Sequence, residues 1–295
     1  MNRVSRRRFI AGSISVVGSG LALGALGAIA GCTNGKSTLP KDLQLVQRFP
    51  HVLVPGSLRL PISLALSSGV LNTTDDFNFP ETLSAKIVDL STDKVIIKNI
   101  SAQLHKVNIP LSYYPFRTTI TAVGNYALVV DGGPSEGTAF SVLPRDQVDV
   151  PGINDELPGF DTPTFDDHRG VEPICTRQPQ PCRFHSVTLR DALTRGVPVA
   201  YLVGTPAHCE TGTCAPALEG LIEIAQRVGD RAIFIHAEVY ADDAATVIAD
   251  AVTALRLTFE PVLFVTDANG VLRERLDAVF DAQEVSDALA SVGIN

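Results

Sequence analysis

The side chains in this chain best suited to chemistry are its cysteines, of which there are five: Cys32, Cys175, Cys182, Cys209 and Cys214. A helical pair at i and i+3 sits roughly 5 Å apart between Cα atoms, within disulfide reach. Cys209-Glu210-Thr211-Gly212-Thr213-Cys214 inserts two further residues. In continuous helix that spacing gives roughly 8 to 9 Å, which is too far to bridge. The segment is therefore expected to be a loop, with Gly212 letting the chain fold back and Thr213 capping a helix that begins at Cys214. Pro216 fits because proline is tolerated in a first turn. Such a dithiol can close to a disulfide or exchange with another one. A helix N-terminus would make Cys214 the more acidic thiol. His208, when protonated, would favour a thiolate at Cys209, and Glu210 would oppose it.

The second pair, Cys175 and Cys182, bounds the Pro-rich run ICTRQPQPC. Four cysteines allow three pairings. The plain reading is a structural disulfide closing a small loop, with a contribution of about 2–3 kcal/mol in the chain-entropy model. Exchange with the Cys209–Cys214 pair is the alternative.

The elements that must position these residues change character along the chain. From about 48 to 149 the sequence runs in short alternating stretches: LRLPISLAL from Leu58, LSAKIVDL from Leu83, KVIIKNI from Lys94, NYALVVDGG from Asn125 and TAFSVLP from Thr138. Short β-rich runs separated by turn residues argue an all-β sandwich of roughly 100 residues. Its histidines, His51 and His105, stand alone in the sequence and read as ordinary side chains. Residues 150–185 carry six prolines, from Pro151 to Pro181, and read as a linker and lead-in holding Cys175 and Cys182. From 186 to 295 strands alternate with helices. The strands are PVAYLVGTP from Pro198, AIFIHAEVY from Ala232 and PVLFVTDANGVLRERL from Pro261, the last a hairpin turning at Asn269-Gly270. Helices are expected from Cys214, from Asp243 (DAATVIADAVTALRL) and from Ala282.

The start of the chain reads as targeting sequence rather than fold. Ser5-Arg6-Arg7-Arg8-Phe9-Ile10 resembles a twin-arginine export motif, and Ile29-Ala30-Gly31-Cys32 resembles a lipobox whose cysteine carries a lipid. A plain transmembrane anchor fits less well, because Ser13, Ser15, Gly18, Ser19 and Gly20 interrupt the apolar run. On this reading 1–31 is the signal peptide and 32–47 a flexible tether. The mature chain is lipid-anchored on the extracytoplasmic face of the membrane, where disulfides persist. Losing Arg3, Arg6, Arg7 and Arg8 takes the formal charge from −8 to −12. So acidic a chain is poorly suited to nucleic acid or anionic lipid, leaving the lipid on Cys32 as the membrane contact.

From about Val150 onward the chain resembles a thioredoxin-fold protein of the redoxin kind. The resemblance rests on LPGFDTPTFDDHRG leading to VTLRDAL, a buried strand ending at the cysteines, a helix after them, and the Pro261 strand with FVTDANGVL. The segment Val123-Gly124-Asn125-Tyr126-Ala127-Leu128 resembles the turn-then-Tyr entry to a late strand of immunoglobulin-like domains. The implied fold class is multidomain: an N-terminal all-β immunoglobulin-like sandwich followed by an α/β thioredoxin-like fold.

The resemblance implies catalytic roles for Cys209, as attacking thiol, for Cys214, and for Pro261, which stands where the family carries a cis-proline facing the dithiol. Glu260 before it would raise a nearby thiol's pKa. His208 replaces the aromatic residue that precedes the first cysteine in thioredoxin. The implied activity is thiol–disulfide exchange with envelope or secreted proteins, without cofactor or metal. A non-catalytic scaffold binding envelope proteins is the alternative. A copper chaperone of the Sco kind would need a histidine just before the Pro261 strand, where Leu257-Thr258-Phe259-Glu260 stands, and His236 belongs to the preceding strand. A peroxidase would need Thr-x-x-Cys, and Pro206 occupies the threonine position.

Overall fold

Alternation along one strand sets the first half of the architecture. In β3, Leu58, Leu60, Ile62 and Leu64 point to one side and are buried, while Arg59 points to the other. The computed structural model describes residues 39–295. The expected signal peptide, with Arg6 and Arg7, and the expected lipidation site Cys32 lie outside them. Nine strands come first: β1 (Gln44–Gln47), β2 (Val52–Leu53), β3 (Gly56–Leu66), β4 (Gly69–Val70), β5 (Thr82–Asp89), β6 (Lys94–Gln103), β7 (Tyr114–Ile120), β8 (Gly124–Val130) and β9 (Thr138–Val142).

Strands β1, β3 and β4 form one sheet with β7 paired to β3, and β2-β9-β8-β5-β6 form another. Leu60, Ile62, Leu64 and Phe116 from the first meet Ile87, Leu128, Val130 and Phe140 from the second in one core. Tyr126 donates its hydroxyl hydrogen to the Ala122 carbonyl at 3.0 Å. Gly124 leaves room for that ring, because a Cβ there would lie 2.9 Å from the tyrosine oxygen. Two elements depart from expectation. Strand β1 lies within the stretch read as tether and pairs with β3 from Gln44↔Ala65 to Gln47↔Ile62. Strand β7 was not among the expected runs.

The second half is a mixed sheet of order β11-β10-β12-β13, with β10 (Val199–Val203) parallel to β11 (Ile233–Ala237) and antiparallel to β12 (Val262–Thr266). A turn at Asn269-Gly270 joins β12 to β13 (Leu272–Asp277), with Gly270 at φ +78° as such a turn requires. Helices α1 (Leu189–Leu193), α2 (Cys214–Val228), α3 (Asp250–Ala254) and α4 (Ala282–Ala290) flank it. Ala200, Leu202, Leu263 and Val265 pack with Leu218 and Leu221 of α2 and Val285 of α4. Val199, Tyr201, Val203 and Phe264 pack on the opposite face with Leu189 of α1 and Val252 of α3.

The expected long helix from Asp243 is only the five residues of α3. Asp242 accepts from the Thr246 and Val247 amides, and Ala245 sits at φ +52°, so turn chemistry replaces the first helical turns. The Pro-rich lead-in has no regular element, yet it is fastened to the start of β13 and the turn before it: Asn154 N–H donates to Leu272 O and Leu157 N–H to Gly270 O.

The halves meet through a buried polar knot. Arg59 of β3 pairs with Glu284 of α4 and donates to the Asp277 and Val279 carbonyls. Tyr113 donates to Glu284, and His105 pairs with Asp281. His105, read from sequence as an isolated side chain, belongs to this interface. Among the described residues no helix is long and apolar enough to cross a membrane.

Candidate functional site

Strand β10 delivers the chain to the dithiol. Beyond Val203 come Gly204 and Thr205, then the loop that carries Cys209, and α2 begins at Cys214 as its spacing requires. Gly212 takes φ +68° where the loop folds back. Thr213 stands at the cap position, but its side chain accepts no bond from the helix. Its hydroxyl turns instead to Thr211 at 2.7 Å. The loop thereby aims donors at one sulfur: Cys209 Sγ accepts from the Cys214 amide at 3.3 Å and lies 3.2 Å from the Thr211 hydroxyl.

These contacts separate the two thiols. The Cys214 thiol, the Thr211 hydroxyl and the loop amides hold Cys209 down to about 5 against the opposing effect of burial. Burial pushes Cys214 well above the ordinary thiol range, and the neighbouring Cys209 and Glu260 add to it. The helix N-terminus thus serves Cys209, through the Cys214 amide, rather than the residue that begins the helix. Cys209 is half-buried, whereas Cys214 is 1% exposed.

Glu260 completes the group. Cys214 Sγ donates to Glu260 Oε2 at 3.3 Å, and the Thr205 amide donates to the same oxygen at 2.8 Å. Burial and the Cys209 thiolate push the Glu260 carboxyl up to about 8. The Glu260–Pro261 peptide is cis. A Cβ added at Gly204 would lie 3.2 Å from Pro261 Cβ and 3.6 Å from Cys214 Sγ, so glycine there lets the strand, the proline and the thiol approach. The sandwich also reaches this region: burial lowers the pKa of Arg48, and the nearby Cys209 thiolate partly offsets it. His208 packs edge-on against Tyr240, and Glu210 is exposed.

The second cysteine pair has unexpected company. Cys175 and Cys182 are free thiols, as are Cys209 and Cys214, so the disulfide expected between Cys175 and Cys182 is not formed here. Their sulfurs face two imidazoles. His185 Nε2 lies 3.3 Å from Cys182 Sγ, and His236 Nδ1 lies 3.6 Å from each sulfur. The thiol of Cys182 and both imidazoles stabilise a thiolate at Cys175, and that interaction together with burial pushes Cys182 up.

Neither histidine was assigned to this pair from the sequence. The local signal was Cys182-x-x-His185, whereas His236 arrives only through the pairing of β11 with β10 and its amide bond to Phe184 O. No family model matches the chain, and no curated protein matches it.

Proposed function

We propose that the protein is a membrane-tethered, extracytoplasmic thiol–disulfide oxidoreductase working through Cys209 and Cys214. Its C-terminal half would be a thioredoxin-like domain and its N-terminal half an immunoglobulin-like sandwich. The single observation that carries the reading is the unlike environment of the two sulfurs: Cys209 with donors aimed at it, Cys214 buried against Glu260. A mixed sheet sandwiched between helices, with the dithiol at the end of β10 and beside Pro261, supports the domain reading. The Tyr126 hydroxyl bond back to Ala122 supports the sandwich reading.

In the reductive direction, the Cys209 thiolate attacks one sulfur of a substrate disulfide, and the other sulfur leaves as a thiolate. With Cys209 tied up in the mixed disulfide, the thiolate that helped keep Glu260 protonated is gone. Cys214 then gives its proton to the Glu260 carboxylate at Oε2 and attacks the Cys209 sulfur, releasing the second substrate thiolate. Two electrons pass to the substrate, and Cys209 and Cys214 end as a disulfide. The partners are envelope or secreted proteins bearing disulfides or thiols, and the lipid on Cys32 keeps the site near the membrane. The test is the reduction potential of the pair together with insulin reduction. A potential well above about −300 mV with turnover supports exchange, and one below it without turnover identifies a structural pair on a scaffold.

A further inference from the structure

We propose that Cys175, Cys182, His185 and His236 form a buried tetrahedral site for one zinc ion, linked to the dithiol region through the His236–Gly204 hydrogen bond. All four ligand atoms lie within 4.8 Å of one another, and none of the four residues is more than 4% exposed. Zinc–sulfur bonds of ~2.3 Å and zinc–nitrogen bonds of ~2.0 Å at tetrahedral angles place sulfur and nitrogen ligands about 3.5 Å apart. Three of the four sulfur–nitrogen separations are 3.3, 3.6 and 3.6 Å, and the fourth is within 4.8 Å.

Hydrogen bonding prepares both ligand types. His236 Nε2 donates to the Gly204 carbonyl at 2.8 Å, which leaves the neutral ring's lone pair on Nδ1, the nitrogen facing the sulfurs. The Cys182 amide donates to Cys175 Sγ at 3.4 Å, as suits a thiolate. A disulfide between the cysteines would leave both inward imidazole nitrogens without a partner, and thiol donors are weak compensation for two fully buried rings. His185 Nδ1 is already a buried atom with no hydrogen-bond partner.

Charge selects the ion. Two thiolates and two neutral imidazoles cancel a divalent cation, which makes a neutral group fit for burial. A monovalent ion would leave a negative charge beside buried Glu238. On binding, zinc takes the Cys175 thiolate as it stands and replaces the Cys182 thiol proton, which passes to solvent. The closed four-ligand set assigns a structural role. The site would pin the 175–185 loop to β11, and through the His236–Gly204 bond it would brace the strand end from which the dithiol loop starts.

The experiment is zinc and cobalt(II) titration of the reduced full chain in detergent, with metal analysis after gel filtration. The expected result is about one zinc per chain, and a cobalt form with tetrahedral visible bands and thiolate charge-transfer absorption. Cys209→Ser/Cys214→Ser should retain both, and His236→Ala and Cys182→Ser should lose more than nine-tenths of the zinc. Labelling wild type guards against variants that do not fold: zinc should protect Cys175 and Cys182 from alkylation while leaving Cys209 reactive. The proposal is overturned by the absence of zinc from the reduced wild type. It is also overturned if zinc is lost from the Cys209→Ser/Cys214→Ser variant, or if the zinc-loaded chain leaves Cys175 and Cys182 freely alkylated.

Discussion

Cys214 Sγ lies 3.3 Å from Oε2 of Glu260, and the same oxygen is held by the Thr205 amide. The carboxylate is therefore fixed beside the thiol that ionises with difficulty, and its own affinity for protons is raised to about 8.

Glu260→Gln removes the proton acceptor while keeping the volume. Resolution of the Cys209 mixed disulfide should slow by about 100-fold, the lower range for a lost general base. The loss of a neighbouring negative charge should at the same time lower the Cys214 pKa. Quenched-flow measurement of mixed-disulfide decay checks the first effect, and unchanged decay would remove Glu260 from the mechanism.

The Cys209 thiolate should persist far into acid. Alkylation of Cys209 should follow an ionisation near pH 5, and Thr211→Val should move it upward by removing a hydroxyl donor. Because the folded pKa is depressed below the ordinary thiol value, the linked stability is fully present above about pH 9 and is lost as pH falls through about 5. Reduced wild type compared with reduced Cys209→Ser across that window should show a Tm difference in favour of wild type that grows with pH.

Much of this site is legible in the sequence because local chain chemistry dictates it. The six-residue spacing, Gly212 and Pro216 together start the helix at Cys214, and the structure agrees. Which thiol benefits is not legible: the donors belong to backbone amides and to Thr211, whose direction depends on the loop's path. The second cluster was hidden for another reason. His236 stands 54 residues from Cys182 and reaches it only through the β10–β11 register. In the same way β1 is a short strand, two of its four residues glutamine, that pairing with β3 creates, and the Asp242 turn overrode the helical periodicity after it.

The Arg59–Glu284 pair should hold the two halves together. Its side chains are only 6% and 4% exposed, so Arg59→Met leaves a buried carboxylate whose remaining cation is the more exposed Arg117, 3.5 Å away. The expected loss is about 3–5 kcal/mol in chemical denaturation. Arg59→Met/Glu284→Gln should recover part of it, and a loss below about 1 kcal/mol would contradict the assigned role.

Cys32→Ala should release the mature chain to the soluble fraction with its denaturation midpoint unchanged. Fractionation followed by denaturant titration measures both, and retention in the membrane would point to an uncleaved apolar anchor.

The most direct test of the dithiol mechanism is trapping of mixed disulfides by single-cysteine variants in the cell envelope. Cys214→Ser keeps the acidic thiolate and removes the resolving thiol, so it should accumulate covalent adducts that dissolve on reduction. Cys209→Ser should trap none, because Cys214 is buried and hard to ionise. Adducts on Cys209→Ser alone would reverse the roles assigned to the two sulfurs, and adducts on neither variant would contradict thiol–disulfide exchange as the function.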